Sequence, residues 1–443
     1  MLATAWLALT RAFYLFLCAC LVRILLQLKK RPFPANAPKL IAGYPVVGAL
    51  QLLFDQGRFC HGSKASSPTG SYSFYLGRHR VVGLAGPQGR KTFFEHRDLD
   101  LDQGTDIFIP VSNATEHTDD PSVETHGSHL RAAMRTALLR TDKLGFVPAA
   151  VRACTSATWD RIAASELIDP FQEMGQLYSQ TSQAVLGIDE IARSPARAKT
   201  VRGIVTTLEG IFSPIDMVVP WLLNPMHIPA VVAVGRLYAL IWQVVRNRKQ
   251  QQGRRDVKSE GMLQDLLDRN TGMRGIMKAT SPSITSWLLI GLAANADWMA
   301  RVRQEVEQAV RRHGKEDQST EHVLDHLDVH ACEHEFPLLE ACLLESIRIA
   351  GPPLLFRKNI GPADIPIGDT GEVVPKGAYA MHYVEDAHQD PDIYPDPRRW
   401  DPARFLADRA EHRKAPMGYI GFGLGRRTCR KLGPCLRGTF ELF

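Results

Sequence analysis

The segment Phe422-Gly423-Leu424-Gly425-Arg426-Arg427-Thr428-Cys429 concentrates several chemical abilities in eight residues. Glycines let the backbone turn tightly beside a flat object. The cationic Arg427 can bind a carboxylate. Two residues on, the Cys429 thiol can ligate a soft metal once nearby positive charge lowers its pKa. Arg426, Arg427, Arg430 and Lys431 supply that charge. Upstream, Glu345-Ser346-Ile347-Arg348 sets an acid and a base three residues apart, so both lie on one face of a helix. A second candidate is the set His322, His326, His330, Cys332 and His334. Its i, i+4 histidines share a helix face and suit zinc. Interleaved Asp325, Asp328, Glu333 and Glu335, with Pro337 following, favour a solvated helix and loop instead.

A thiolate axial ligand pushes electron density onto haem iron and favours O–O cleavage. On that chemistry the Phe422–Cys429 segment resembles the haem-binding loop of cytochrome P450, F-x-x-G-x-R-x-C, with Phe422, Gly425, Arg427 and Cys429 at its four defining positions. Glu345 to Arg348 resembles the family's E-x-x-R helix. Trp400-Asp401-Pro402-Ala403-Arg404-Phe405 resembles its P-x-R-F segment. Pro353 to Arg357, Val374-Pro375-Lys376-Gly377, His388-Gln389-Asp390-Pro391 and the run from Trp298 to Val306 also follow the family's order.

The resemblance implies haem b, with its iron held by the axial thiolate of Cys429. Arg357 and Arg427 would pair with haem propionates, and Arg131 or Arg135 would make a third contact. Arg404 would complete a buried ion network with Glu345 and Arg348, which locks local structure without adding much stability. Two departures stand out. Counting back from Trp287, Thr280 takes the position of the family's threonine over the haem, but Met277 and Ala279 occupy the glycine and acid positions. Thr280 either orders a water or bonds its own helix backbone. Lys431 replaces a glycine after the cysteine, and the short tail carries Gly433, Pro434 and Gly438, which oppose a long helix. The expectation is a shortened C-terminus with weakened haem retention.

The elements that must position these groups follow from periodicity. Helical spacing dominates from about residue 128 to 310, for instance at 129–139, 149–165 and 298–312. Residues 71–84 and 352–385 read as strands, and 386–425 as loop. The predicted fold class is mainly α with small β-sheets (α+β), the P450 fold behind an N-terminal transmembrane helix. Residues 2–28 are mostly apolar, interrupted by Arg11 and Arg23, and Lys29-Lys30-Arg31 follows. That length crosses a bilayer, and the basic cluster stays cytosolic. The domain reading is therefore 1–28 anchor, 29–50 basic and proline-rich linker, and 51–443 haem-thiolate catalytic domain. A second apolar region, 211–245, is broken by four prolines and reads as a buried or membrane-dipping helix pair.

Composition bounds the alternatives. Apolar residues make up 45% of the 443 and charged residues 23%, which excludes disorder and coiled coil for the whole chain. A net charge of +6 at this length argues against nucleic acid. Eight cysteines without framework spacing indicate reduced thiols facing a reducing compartment. The sequon at Asn113 would then stay unused.

The function the resemblance implies is a single-pass membrane monooxygenase of the endoplasmic reticulum, its catalytic domain cytosolic. It would insert one oxygen atom of O2 into an apolar small-molecule substrate. Electrons would come from an NADPH-dependent reductase docking near Arg413, Lys414, Arg426 and Arg430. Similarity to fungal microsomal members points to secondary metabolism of terpenoid or polyketide type. The alternatives are an O2-independent isomerase or dehydratase, and a non-catalytic membrane protein without haem.

Overall fold

The computed structural model describes residues 30–104, 147–209, 228–252 and 283–425, isolated positions excepted, with a few single residues elsewhere. The chain divides into two compact units, each discontinuous in sequence and each drawing on residues 51–443.

The first unit gathers residues 1–117, 212–225 and 352–387. Its frame is a five-stranded sheet built from β1 (Tyr72–Leu76), β2 (His79–Gly83), β3 (Leu99–Asp100), β4 (Leu354–Asn359) and β7 (Tyr379–Tyr383), in the order β1-β2-β7-β4-β3. Among its named strand pairs β2 and β7 run parallel and the others antiparallel. A small ribbon pairs β5 (Ile365–Pro366) with β6 (Val373–Val374). Phe74, Val81, Val82 and Met381 are fully buried, as β-branched and aromatic residues are on a covered pleat. Helices α1 (Gln56–Ser66) and α2 (Gly86–Glu95) belong to this unit. Gly377, at φ 69°, turns the chain between β6 and β7. Asn359, 1% exposed, reads both sides of that turn: its amide donates to Ala363 and Val374 and its oxygen accepts from the Gly361 N–H.

The second unit gathers residues 118–211, 226–351 and 388–443. Its helices are α3 (Val147–Ala163), α4 (Pro170–Val185), α5 (Pro195–Glu209), α6 (Ile228–Gln252), α7 (Ser283–Ala293), α8 (Ala296–His313) and α9 (Pro337–Ala350). The core runs along α7, α8 and α9, where Leu288, Leu292, Val302, Leu339, Cys342 and Ile347 meet. A second core lies between α5 and α6, through Val201, Ile204, Leu237, Ile241 and Val244. Helix α9 begins without a cap of its own, Phe336 supplying none. Glu305 of α8 takes that role, accepting from the N–H groups of Leu338 (2.8 Å) and Leu339 (3.0 Å). Burial raises the Glu305 pKa, against those two hydrogen bonds.

The strand and helix readings at 71–84, 149–165, 298–312 and 352–385 correspond to elements found. The stretch 129–139, Asn113 and the first half of 211–245 lie outside the described residues. So does nearly all of 1–28, where Arg11, Tyr14, Leu15, Cys18 and Val22 are helical and exposed. Among the described residues no helix is long and apolar enough to cross a membrane. Cys60, Cys154 and Cys342 are buried. Burial pushes the Cys60 thiol up to about 12 and the Cys342 thiol higher, so neither offers a thiolate at neutral pH.

Candidate functional site

Helix α9 carries Glu345 and Arg348 on one buried face, at 0% and 1% exposure. Arg348 grips its neighbour with two bonds, Nε to Oε2 at 2.7 Å and Nη2 to Oε1 at 2.8 Å. Its third nitrogen, Nη1, donates to the His388 carbonyl at 2.5 Å. The guanidinium also stands 4.9 Å over the Tyr394 ring.

Residues 402–405 form a single 3-10 turn that presents Arg404 to the same place. Its Nε lies 3.5 Å from Glu345 Oε1. The backbone N–H of Asp401 reaches that oxygen at 2.9 Å. Glu345, Arg348 and Arg404 are therefore brought together. Burial raises the Glu345 pKa, opposed by Arg348, the Asp401 N–H and the charge of Arg404.

Sequence reasoning missed a second carboxylate. Glu411, 4% exposed, receives Arg404 Nη1 at 2.8 Å. Arg409 donates to Glu411 at 2.6 Å and to Asp401 at 2.8 Å. Burial would raise the Glu411 pKa, but Arg409 and Arg404 hold it below the usual glutamate value. The cluster holds three carboxylates and three guanidiniums, so no charge is left uncompensated. The only signal in the sequence was an acid seven residues beyond Arg404, which no familiar spacing picks out.

The approach to the glycine-rich loop is fastened to α9. Tyr419 Oη donates to the Leu344 carbonyl at 3.2 Å. The Ile420 N–H donates to His388 Nε2 at 3.0 Å. At Gly421 an added Cβ would stand 2.4 Å from both Ile347 Cγ2 and Tyr419 Oη. Phe422 packs against the α7–α9 core. Gly423 and Gly425 both take left-handed backbone, φ 69° and 65°, a shape that side-chain-bearing residues resist. This backbone fits the turn required beside a flat cofactor. Arg427 and Cys429 lie outside the described residues, as do Thr280, Met277, Ala279, Arg131, Arg135 and Lys431.

Arg357 belongs to the first unit. It sits on β4, 5% exposed, opposite Ala380 of β7. Its Nη1 donates to the Phe94 carbonyl at 3.4 Å, and its guanidinium lies 4.9 Å from the Phe93 ring and 5.5 Å from the Phe94 ring. A guanidinium is a planar cation whose fork of donors matches a carboxylate. Taken separately, the glycine turn of the second unit and Arg357 of the first are each of a kind that suits haem. Of the histidine set, His322 and His326 are exposed with ring centroids 4.3 Å apart, and His326 Nδ1 bonds the His322 carbonyl. His330 and Cys332 lie outside the described residues.

Comparison with known proteins agrees with this geometry. Residues 276–430 match the family model described as Cytochrome P450. Cytochrome P450 monooxygenase AacuE of Aspergillus aculeatus is 27% identical over 405 residues, covering 87% of this chain and 80% of that protein. Cytochrome P450 monooxygenase claM of Passalora fulva is 29% identical over 429 residues, 92% of this chain and 78% of that protein. The solved structure of retinoic acid-bound cyanobacterial CYP120A1 superposes over 92% of this chain and 91% of its own, with a TM-score of 0.69 and 18% identity, and so shares the fold. Residues 276–430 are a cytochrome P450 domain, and the chain is a homologue of the fungal cytochrome P450 monooxygenases.

Proposed function

We propose that this chain is a haem-thiolate monooxygenase acting on an apolar small molecule in fungal secondary metabolism. The observation that carries the reading is the buried Glu345–Arg348–Arg404 network, tied through Tyr419 and Ile420 to the turn that leads to Cys429. When bound, haem held by a thiolate would supply the activation of dioxygen. The chain supplies the rest. Cys429 would hold the iron, and the cationic residues at 426, 427, 430 and 431 would favour its thiolate form. Arg357, Arg427 and Arg131 bind the propionate carboxylates as permanent cations. Thr280 holds a water and with it a proton. Electrons come from an NADPH-dependent reductase, docked on the basic face that includes the exposed Arg413 and Lys414.

Residues 2–28 serve as the anchor to the endoplasmic reticulum membrane, with the catalytic part cytosolic. The support is their length, their apolar composition and the basic cluster behind them. Deleting them is expected to move most of the protein from the membrane pellet to the soluble fraction. Met277 and Ala279, in place of the family's glycine and acid, favour a second reading, an O2-independent isomerase or dehydratase. Turnover under argon without NADPH would select it.

The deciding experiment is the absorption spectrum of the reduced protein under carbon monoxide, for the wild type and Cys429→Ala. The wild type is expected to show a red-shifted thiolate-type Soret band, and Cys429→Ala to lose it. An unchanged band in the variant overturns the ligand assignment. Folded wild-type protein without any haem band overturns the haem reading.

A further inference from the structure

We propose that His388 is the positioning residue of the haem loop, acting through its acceptor nitrogen rather than through its bulk. The inference rests on the haem-thiolate reading for its consequence and on geometry for its cause. His388 is 1% exposed and is held from two directions. Its carbonyl accepts Arg348 Nη1 of the buried network at 2.5 Å. Its ring stacks on Tyr419, with centroids 5.2 Å apart and planes 17° apart. In that position Nε2 accepts the Ile420 N–H at 3.0 Å, which places the ring proton on Nδ1.

Ile420 is the hinge of the approach. Its N–H goes to His388, and its own carbonyl accepts the Gly423 N–H at 2.9 Å, closing the turn that continues to Gly425. The residue is 3% exposed, so no water stands ready to replace a lost acceptor. A shift of the Ile420 peptide therefore passes directly into the Gly423 turn, and from there towards Cys429, nine residues on. Arg348 fixes the backbone of His388, His388 fixes the backbone of Ile420, and Ile420 fixes the turn. The buried ion network thus reaches the loop through one imidazole. The adjoining Asp390 does separate work, its carbonyl accepting the Tyr394 N–H at 2.8 Å.

Two substitutions separate acceptor from bulk. His388→Phe keeps an aromatic ring for Tyr419 and removes the acceptor. His388→Gln supplies an acceptor and removes the ring. The full-length protein would be compared by the rate of haem transfer to apomyoglobin. A second readout is deuterium uptake by a peptide covering 418–425, with a peptide covering the 79–83 strand as internal control. His388→Phe is expected to lose haem about tenfold faster and to raise uptake at 418–425 alone, as one unsatisfied buried N–H implies. His388→Gln is expected to stay within about threefold of the wild type on both.

Wild-type behaviour of His388→Phe, or equal impairment of both variants, overturns the proposal. Should His388→Phe fail to fold, His388→Gln is set against His388→Ala: better retention by His388→Gln supports the acceptor role, and equal loss overturns it. If the folded wild type holds no haem, the haem-thiolate reading fails, and uptake at 418–425 still decides what His388 does.

Discussion

Arg348 and Glu345 meet through two parallel bonds of 2.7 and 2.8 Å, one helical turn apart and shut off from solvent. A planar guanidinium matches a carboxylate in this way, and a lysine could not. The pair also has outward arms, Arg348 to His388 and Glu345 to the Asp401 N–H. Its role is to bring together chain segments distant in sequence, since buried ion pairs seldom add net stability.

Removing one partner of such a network leaves the other charge buried and unpaired. Glu345→Ala is expected to cost about 3–5 kcal/mol, measured as a fall in the urea midpoint, with loss of folded haem protein rather than of turnover alone. Glu411→Ala should fall in the same direction by less, because Arg404 would keep Glu345 and the Asp396 carbonyl. A Glu411→Ala midpoint equal to the wild type would show that the second carboxylate is dispensable.

Glu305 caps a helix it does not belong to. Glu305→Ala would strip two N–H groups at the start of α9 of their acceptor and is expected to destabilise by about 1–2 kcal/mol. Glu305→Gln retains an acceptor and should recover much of the loss. Thermal unfolding of the three proteins checks the order.

Gly421 has no space for a methyl group. Gly421→Ala would force Ile347 or Tyr419 aside and is expected to cost about 1–3 kcal/mol. Because the displaced segment precedes the glycine turn, haem content should drop more steeply than helicity. Paired circular dichroism and haem absorbance would show it, and a parallel loss of both would point to general unfolding.

His382 makes stability depend on pH. It is fully buried on β7 between Phe93 and Phe94, with Nδ1 on the Leu84 carbonyl at 2.8 Å. Burial drives its pKa from 6.5 down to about 4, against the pull of that carbonyl and of Asp386. At pH 7 the folded form is neutral at this site and the unfolded form mostly so, and the slope there is small. As pH falls from 6.5 towards 4, the unfolded chain takes up a proton that the folded chain refuses. Stability should drop by about 3 kcal/mol over that window and level off at this site below it. His79 shifts in the same direction. Urea midpoints for the wild type and His382→Gln at pH 7 and 4.5 test the sign: the variant should show the shallower fall.

The sequence by itself determined the kind of chemistry and much of the element order. Glu345 and Arg348 could be paired on paper because a helix puts i and i+3 on one face, a local rule that needs no partner. The glycines at 423 and 425 announced a turn for the same reason, since residue type alone governs access to positive φ. The strand reading at 71–84 and the helix readings at 149–165 and 298–312, which correspond to elements found, followed from periodicity, which is also local.

The tertiary structure decided what depends on distance across the chain. Glu305 caps α9 from 33 residues away, a role that its place in the helical run 298–312 does not specify. Glu411 became the second anion of the network because residues 402–413 fold back in short 3-10 turns, a path no periodicity encodes. His388, one member of a short motif, became the link between Arg348 and Ile420 only when two segments 32 residues apart were packed together. Hydrogen bonds between remote segments depend on how the intervening chain closes, so residue spacing alone leaves them undetermined.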